Sequence, residues 1–254
     1  MEYLIFILVF IIGTVFGSFY NVVGYRLPKG ESIVTPPSHC PNCNTRLGVL
    51  ELFPVISYII QKGKCKHCKV KISPFYIIFE LLTGLLFLLA YISFGASLEL
   101  IIALTFISML IIIVVSDYNY MIICDEVLIF FGIILCAEIF MINGPEAFLK
   151  AITSGVLAFL TMFALKKLGD TLFKKESMGG GDIKLMFIFG LVLGYPMAIL
   201  SIFLGSIIGL PISLIMLKKN TDHIIPFGPF LAAGAIIILL LHIDINTLLN
   251  LYNI

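Results

Sequence analysis

The stretch YLIFILVFIIGTVFGSFYNVVGY at residues 3–25 contains no charged residue. A helix of about 20 apolar residues is long enough to cross the roughly 30 Å hydrocarbon core of a bilayer. The stretch is too long for a removable signal peptide, and no small-residue cleavage site follows it. The chain as a whole is also rich in apolar residues and poor in charge, since 60% of its 254 residues are apolar and only 12% are charged. Soluble domains carry about twice that charge, so the sequence predicts an all-α polytopic protein of the lipid bilayer.

Further apolar segments follow, and we expect about eight transmembrane helices in all. They lie at 74–94, 100–115, 127–142, 151–165, within 185–217 and at 224–241. The uncharged stretch 185–217 would form a single helix of about 50 Å, which is longer than a bilayer needs. Gly194-Tyr195-Pro196 lies inside that stretch, and a glycine followed closely by a proline favours a turn. We therefore predict two short helices there.

The lysine and arginine residues predict the orientation of these helices. With the N-terminus outside, fifteen of the sixteen fall on the cytosolic side, and Lys150 is the exception. Such an excess is typical of cytoplasmic loops. A single helix at 185–217 would instead place Lys184 and Lys218 on opposite faces. The distribution accounts for the positive residues, so we expect no nucleic-acid partner and a cytosolic location for the soluble segment 26–73.

Segment 26–73 contains two C-x2-C pairs, Cys40-Pro41-Asn42-Cys43 and Cys65-Lys66-His67-Cys68. Four thiolates with this spacing can bind zinc in a tetrahedral site. About fifty residues bury too little apolar surface to fold unaided, so a structural metal would stabilise the loop. Two disulfides are the alternative, although a reducing cytosol disfavours them. His39 and His67 each precede a cysteine and are alternative ligands.

Two aspartates are predicted at the same depth on the cytosolic face. Asp117 ends the third span, and Asp182 starts the sixth, directly after Gly179-Gly180-Gly181. If only one of these aspartates were present, it would be interpreted as a solvated residue at the membrane edge. Two neighbouring carboxylates can share a proton, so that one activates water while the other polarises a peptide carbonyl. The three glycines lack Cβ, so they allow unusual backbone angles and let a substrate strand approach closely.

Several stretches, in the same order, resemble the type IV prepilin peptidases, a family of bifunctional leader peptidases and N-methyltransferases among the GxGD aspartyl proteases. The matching stretches are 17–28, 37–43 and 63–68 in the loop, 79–84, 178–185 and 226–230. The most specific of them is Met178-Gly179-Gly180-Gly181-Asp182-Ile183-Lys184-Leu185. Together they cover nearly the whole chain.

The resemblance implies that Asp117 and Asp182 form the catalytic pair of an aspartic endopeptidase. It implies a pilin or pseudopilin precursor as substrate, cut where its short basic leader meets a hydrophobic helix at the cytosolic face of the bacterial inner membrane. It also implies methylation of the new amino terminus with S-adenosylmethionine, a reaction to which the family links the residue at Glu80. A membrane-interface glutamate that pairs with Lys69 or Lys71 is the alternative interpretation of Glu80.

Together these features predict three parts. The first is a transmembrane helix at 1–25, the second a cytosolic zinc-binding loop domain at 26–73, and the third a membrane-embedded aspartyl protease core at 74–254. Three other functions stay open. They are a cleavage-only preflagellin-type peptidase, a proton- or ion-coupled transporter, and a scaffold that presents the zinc loop. A transporter would favour internal repeats and polar residues near the midplane, and the sequence has no repeat.

The chain departs from the family pattern at several positions. Cys124-Asp125 stands where the family has Pro-Asp, and Asn119 where it often has a second aspartate. Just before the second span, Phe75 and Ile77 replace a usual Arg and Pro. None of these changes removes a catalytic carboxylate, so the expected proteolysis is unaffected.

Overall fold

The computed structural model describes residues 2–219 and 226–244 of the chain. Within these ranges the α-helices are α1 (Glu2–Arg26), α2 (Ile56–Ile60), α3 (Pro74–Phe94), α4 (Glu99–Tyr120), α5 (Asp125–Phe173), α6 (Gly180–Leu193), α7 (Tyr195–Lys219) and α8 (Gly228–Leu240). Two short 3-10 helices, Leu27–Lys29 and Val49–Glu51, lie in the loop. The described ranges contain no β-strand. Residues 224 and 225 of the predicted last span lie outside the described residues.

Five helices, α1, α3, α4, α5 and α7, are long and apolar enough to cross a membrane. The predicted all-α membrane class is therefore confirmed. α5 is interrupted at Gly144, whose φ of 85° and ψ of 174° are not helical, and Pro145 follows. Glycine adopts this positive φ without a steric penalty, and proline cannot donate the next helical hydrogen bond. The two halves of α5 correspond to the predicted segments 127–142 and 151–165.

Gly194 separates α6 from α7, again with a positive φ of 81°. The long uncharged stretch 185–217 thus contains parts of two helices, and the turn lies within the predicted Gly194-Tyr195-Pro196. α6 has only 14 residues, whereas α7 has 25. Because the chain turns at residue 194, the short helix α6 can pack alongside its neighbours and present its first turn to the site described below.

The chain divides into two compact units, Met1–Ala96 and Ser97–Ile254. In the first unit α1 and α3 pack along each other, and residues 27–73 connect them. A Cβ added at Gly13 would lie 2.8 Å from the Cα of Gly84, and one at Gly17 would lie 2.9 Å from the Cβ of Thr83. Small residues let the two backbones approach this closely, as is common in pairs of membrane helices.

In the second unit α4 contributes the largest share of the buried side chains. Phe106 of α4 meets Phe189 of α6 edge to face, with ring centroids 5.6 Å apart. Leu135 of α5 and Ala235 of α8 are also fully buried. The end of α4 and the starts of α6 and α8 are the parts of this unit that carry the candidate site.

Candidate active site and metal centre

Asp117 lies in the last turn of α4, and only 6% of its surface is exposed. Its Oδ2 accepts a hydrogen bond of 3.0 Å from the backbone N–H of Gly228, the first residue of α8. A Cβ at position 228 would lie 2.6 Å from the same oxygen, so only glycine leaves room for the carboxylate. Residues 226–230 belong to the stretches that carry the family resemblance, but no sequence pattern indicates this role of Gly228.

Asp182 lies in the first turn of α6 and is 8% exposed. The backbone of Gly179, at the N-cap of this helix, hydrogen-bonds the carboxylate. A negative charge is favourable at a helix N-terminus, where the backbone dipoles leave partial positive charge. The charge of Asp117 acts on Asp182 across the site. The structure therefore buries both predicted aspartates in the second unit, near enough to each other for their charges to interact.

The three glycines before Asp182 do not use the backbone angles that only glycine allows. None of them has a positive φ, and Gly180 and Gly181 belong to α6. At Gly181 the constraint is steric. A Cβ there would lie 2.7 Å from the Cβ of Ile123, which lies between α4 and α5. A Cβ at Gly180 would meet no atom within 4 Å, so the helix has open space at that point.

Asp125, the first residue of α5, forms an ion pair next to this site. Both of its carboxylate oxygens accept hydrogen bonds from the Nζ of Lys184, at 2.7 and 2.8 Å. Both side chains are about half exposed, so the pair adds at most about 1 kcal/mol to stability. It joins the start of α5 to the first turns of α6. Asn119 donates to the backbone carbonyl of Val115 at 2.7 Å, within its own helix.

The four loop cysteines come together in the first unit. Their sulfur atoms all lie within 4.8 Å of one another, and the Sγ atoms of Cys40 and Cys68 are 3.7 Å apart. Tetrahedral zinc with Zn–S bonds of about 2.3 Å places its sulfur ligands about 3.8 Å apart. None of the four forms a disulfide, so the alternative of two disulfides is not what the structure shows. The cluster fits a metal ion, and its cysteine spacing is what zinc prefers.

Each cysteine pair is held by the same backbone pattern. The N–H of Cys40 donates to the carbonyl of Thr45 at 3.0 Å, and the N–H of Cys65 donates to that of Val70 at 2.9 Å. Hydrogen bonds from the backbone of Val70 and the side chain of Asn42 lower the pKa of the Cys68 thiol to about 6. A thiolate is the form that binds metal.

The two histidines next to the cysteines have other partners. The Nδ1 of His39 is 3.0 Å from the carbonyl oxygen of Pro37, and the Nε2 of His67 is 3.6 Å from a carboxylate oxygen of Glu51. In the described part of the chain, the group of residues that could hold a metal consists of the four cysteines alone.

Glu80 lies in α3 and is 8% exposed. Its Oε2 accepts a hydrogen bond of 2.8 Å from the backbone N–H of Val55, and the side chain of Ser18 in α1 is a second partner. Among the described residues it forms no ion pair with Lys69 or Lys71. Glu80 therefore connects the loop to both membrane helices of its unit. No sequence pattern indicates Val55 or Ser18 as partners of Glu80, because only the fold brings the loop and α1 to this carboxylate.

Comparison with known families gives two matches. Residues 11–94 match the Bacterial Peptidase A24 N-terminal domain, and residues 104–214 match the Type IV leader peptidase family. The first range lies in the first compact unit, and the second range lies in the second unit. No solved structure matches the chain.

Three relatives of the chain are each named "Prepilin leader peptidase/N-methyltransferase". The protein from Bacillus subtilis (strain 168) is 39% identical over 91% of this chain and 92% of its own length. That of Myxococcus xanthus (strain DK1622) is 32% identical over 83% of this chain and 63% of its own length. The Pseudomonas putida protein is 30% identical over 90% of this chain and 88% of its own length.

Proposed function

Because the chain belongs to the type IV leader peptidase family, we propose that it removes the leader from pilin-like precursors at the cytosolic face of the membrane. The observation that carries this proposal is the pair of buried, interacting carboxylates of Asp117 and Asp182. The names of the relatives support both leader cleavage and N-methylation. The test is to incubate the purified chain with a model precursor in detergent and weigh the products by mass spectrometry. An uncut precursor would contradict the proposal.

The two aspartates suit hydrolysis by acid–base catalysis. The charged carboxylate takes a proton from a water molecule, while the protonated carboxyl donates a hydrogen bond to the scissile carbonyl oxygen. The water oxygen bonds to the carbonyl carbon, and the C–N bond breaks as the leaving nitrogen takes up a proton. The products are a leader with a free carboxyl terminus and a shortened precursor with a free amino terminus.

We propose that the chain crosses the bacterial inner membrane eight times, with the N-terminus outside. The breaks at Gly144 and Gly194 support this count, because they divide the long apolar stretches into separate helices. The distribution of lysine and arginine supports the orientation. In this arrangement both catalytic aspartates lie at the cytosolic ends of their helices. That is the depth at which the junction between a basic leader and an apolar helix would arrive.

We also propose that Glu80 serves the methylation step. S-adenosylmethionine supplies the methyl group and carries a positive sulfonium, for which a carboxylate is a suitable partner. The Glu80 side chain is buried and held by Val55 and Ser18, so its position is fixed by both the loop and α1. The residue type and its surroundings therefore fit a role in holding a cationic cofactor.

Replacing Glu80 with glutamine is expected to remove methylation and to leave cleavage in place. The amide keeps the size and the hydrogen-bond acceptor for Val55 but loses the negative charge. With S-adenosylmethionine present, the wild-type product should be one methyl group heavier than the product of the variant. A methylated product from the variant would contradict the role of Glu80. An unmethylated wild-type product would indicate a cleavage-only enzyme.

For the four cysteines we propose structural zinc. The separation of 3.7 Å between the sulfur atoms of Cys40 and Cys68 supports this assignment. Structural zinc contributes directly to folding in loops that have too small an apolar core. The metal would thereby hold residues 27–73 in the conformation that brings Val55 to Glu80.

Replacing Cys40 with serine is expected to abolish zinc binding and to destabilise the loop. Serine removes one of four thiolate ligands, and the site cannot close without it. The zinc content of the purified protein, measured by elemental mass spectrometry, should fall from about one atom per chain to near zero. The control is Cys136→Ser, because Cys136 lies in α5 outside the cluster. Equal zinc in wild type and Cys40→Ser would contradict the assignment.

A further inference from the structure

The loop between α1 and α3 carries a run of exposed apolar side chains, which we call the apolar segment (residues 49–60). Seven of its twelve residues are large, apolar and exposed: Val49, Leu50, Leu52, Phe53, Ile56, Ile59 and Ile60. Leu50 is 86% exposed and Ile60 is 74% exposed. Glu51 is the only charged residue in the segment. An apolar surface of this kind marks contact with a membrane or with another protein.

A hydrogen bond fixes the depth of the apolar segment. The N–H of Val55, in its middle, donates to Glu80 at 2.8 Å. Glu80 is six residues beyond Pro74, the first residue of α3, so it lies about 9 Å along the helix at 1.5 Å per residue. Ser18 of α1 is bonded to the same carboxylate. The apolar segment is therefore attached to two membrane helices below their loop-side ends.

Several backbone N–H groups of the segment donate to nearby carbonyls. The N–H of Leu52 donates to Gly48, that of Ser57 to Phe53, and that of Ile59 to Val55. In an apolar environment an unpaired backbone group costs several kcal/mol, so this internal bonding is what membrane contact requires. A segment exposed to water would not require these internal bonds, because water can bond to unpaired backbone groups.

The charge next to the apolar segment complements a lipid surface. Residues 62–71 contain five lysines and no acidic residue. The cytoplasmic leaflet carries anionic lipids, which attract such clusters by about 1 kcal/mol per lysine close to the surface. A protein partner would have to combine an apolar groove with an acidic rim, whereas an anionic bilayer presents both features side by side.

We propose that the apolar segment inserts into the leaflet beside α1 and α3, with its side chains against acyl chains and the lysines of 62–71 at anionic headgroups. The loop then rests on the bilayer as an interfacial element and does not project into the solvent. Only the choice of the cytosolic leaflet depends on the orientation proposed above. The lipid contact itself follows from the depth of Val55 and the exposed side chains.

The chain contains no tryptophan, so a single introduced tryptophan reports its own surroundings. The full chain with Leu50→Trp is placed in vesicles of equal parts phosphatidylcholine and phosphatidylglycerol, with and without bromine on the acyl chains. Short-wavelength emission, and loss of most of the fluorescence in the brominated vesicles, are expected. Long-wavelength emission without quenching would show water contact. Short-wavelength emission without quenching would show a protein cover, and either of these results would overturn the proposal.

Two further variants make the test specific. Pro41→Trp places the reporter at an exposed position between two loop cysteines and should emit at long wavelength with little quenching. Equal quenching at positions 41 and 50 would overturn insertion of the apolar segment in particular. Ile60→Trp, at the other end of the segment, repeats the measurement in case Leu50→Trp does not fold. An unchanged thermal unfolding temperature in each variant shows that the chain is still folded.

Discussion

Asp117→Asn and Asp182→Asn are each expected to abolish leader cleavage while the protein stays folded. Asparagine has nearly the shape of aspartate but can neither take a proton from water nor share one with its neighbour. Loss of one such group lowers the rate about 10²–10⁴-fold. Because the two carboxylates act as a unit, the double variant should be no slower than either single one. The measurement is the rate of appearance of the shortened precursor, followed by mass spectrometry.

Asp125→Asn is the matched control for these two variants. The substitution is the same, but Asp125 is about half exposed and forms only a surface ion pair with Lys184. Its loss should cost at most about 1 kcal/mol, so cleavage should stay within several-fold of wild type. Retained cleavage in Asp117→Asn or Asp182→Asn would exclude the proposed mechanism. A loss of similar size in Asp125→Asn would show that the assay reports general disturbance of the site.

Gly228→Ala is expected to lower cleavage about 10²-fold, although the residue carries no side chain and does no chemistry. The added methyl group would lie 2.6 Å from the Oδ2 of Asp117, so either the carboxylate or the start of α8 must move. The hydrogen bond from the Gly228 N–H would be strained by the same movement. Misplacement of a catalytic group by about 1 Å is enough to produce a loss of this size.

The control for Gly228→Ala is Gly132→Ala in α5 of the same unit. A Cβ at Gly132 would meet only the terminal carbon of the Ile188 side chain, at 3.1 Å, and that end can turn away. This variant should cleave at close to the wild-type rate. If Gly228→Ala cleaved as fast as Gly132→Ala, the close approach of α8 to Asp117 would have no part in catalysis. Thermal unfolding of both proteins separates a loss of stability from a loss of rate.

The features that the sequence predicted correctly depend on neighbouring residues in the chain. Apolar runs set the helices, and the glycine and proline residues at 194 and 196 set the break between α6 and α7. Each C-x2-C pair forms a local turn, so only the meeting of two turns had to be inferred for the cysteine cluster. The predicted all-α membrane class was confirmed by the long apolar helices, and the family by matches over residues 11–94 and 104–214.

The features that the sequence could not predict depend on residues far apart in the chain. Gly228 meets Asp117 across 111 positions, and Val55 meets Glu80 across 25. No periodicity or charge pattern marks such a pair, because both contacts use a backbone N–H, which every residue except proline has. The steric need for glycine at position 181 could not be predicted for the same reason, because the sequence alone does not place Ile123 beside it.

The close glycine contact between α1 and α3 also sets an order of assembly during synthesis. The 47 residues at 27–73 separate the two helices. At about 5–20 residues per second the ribosome takes about 2 to 9 s to make them. During that interval the surface of α1 around Gly13 and Gly17 has no partner helix to pack against. We therefore expect the bond from Val55 to Glu80 to be a late contact of this unit, because it cannot form until α3 has been made.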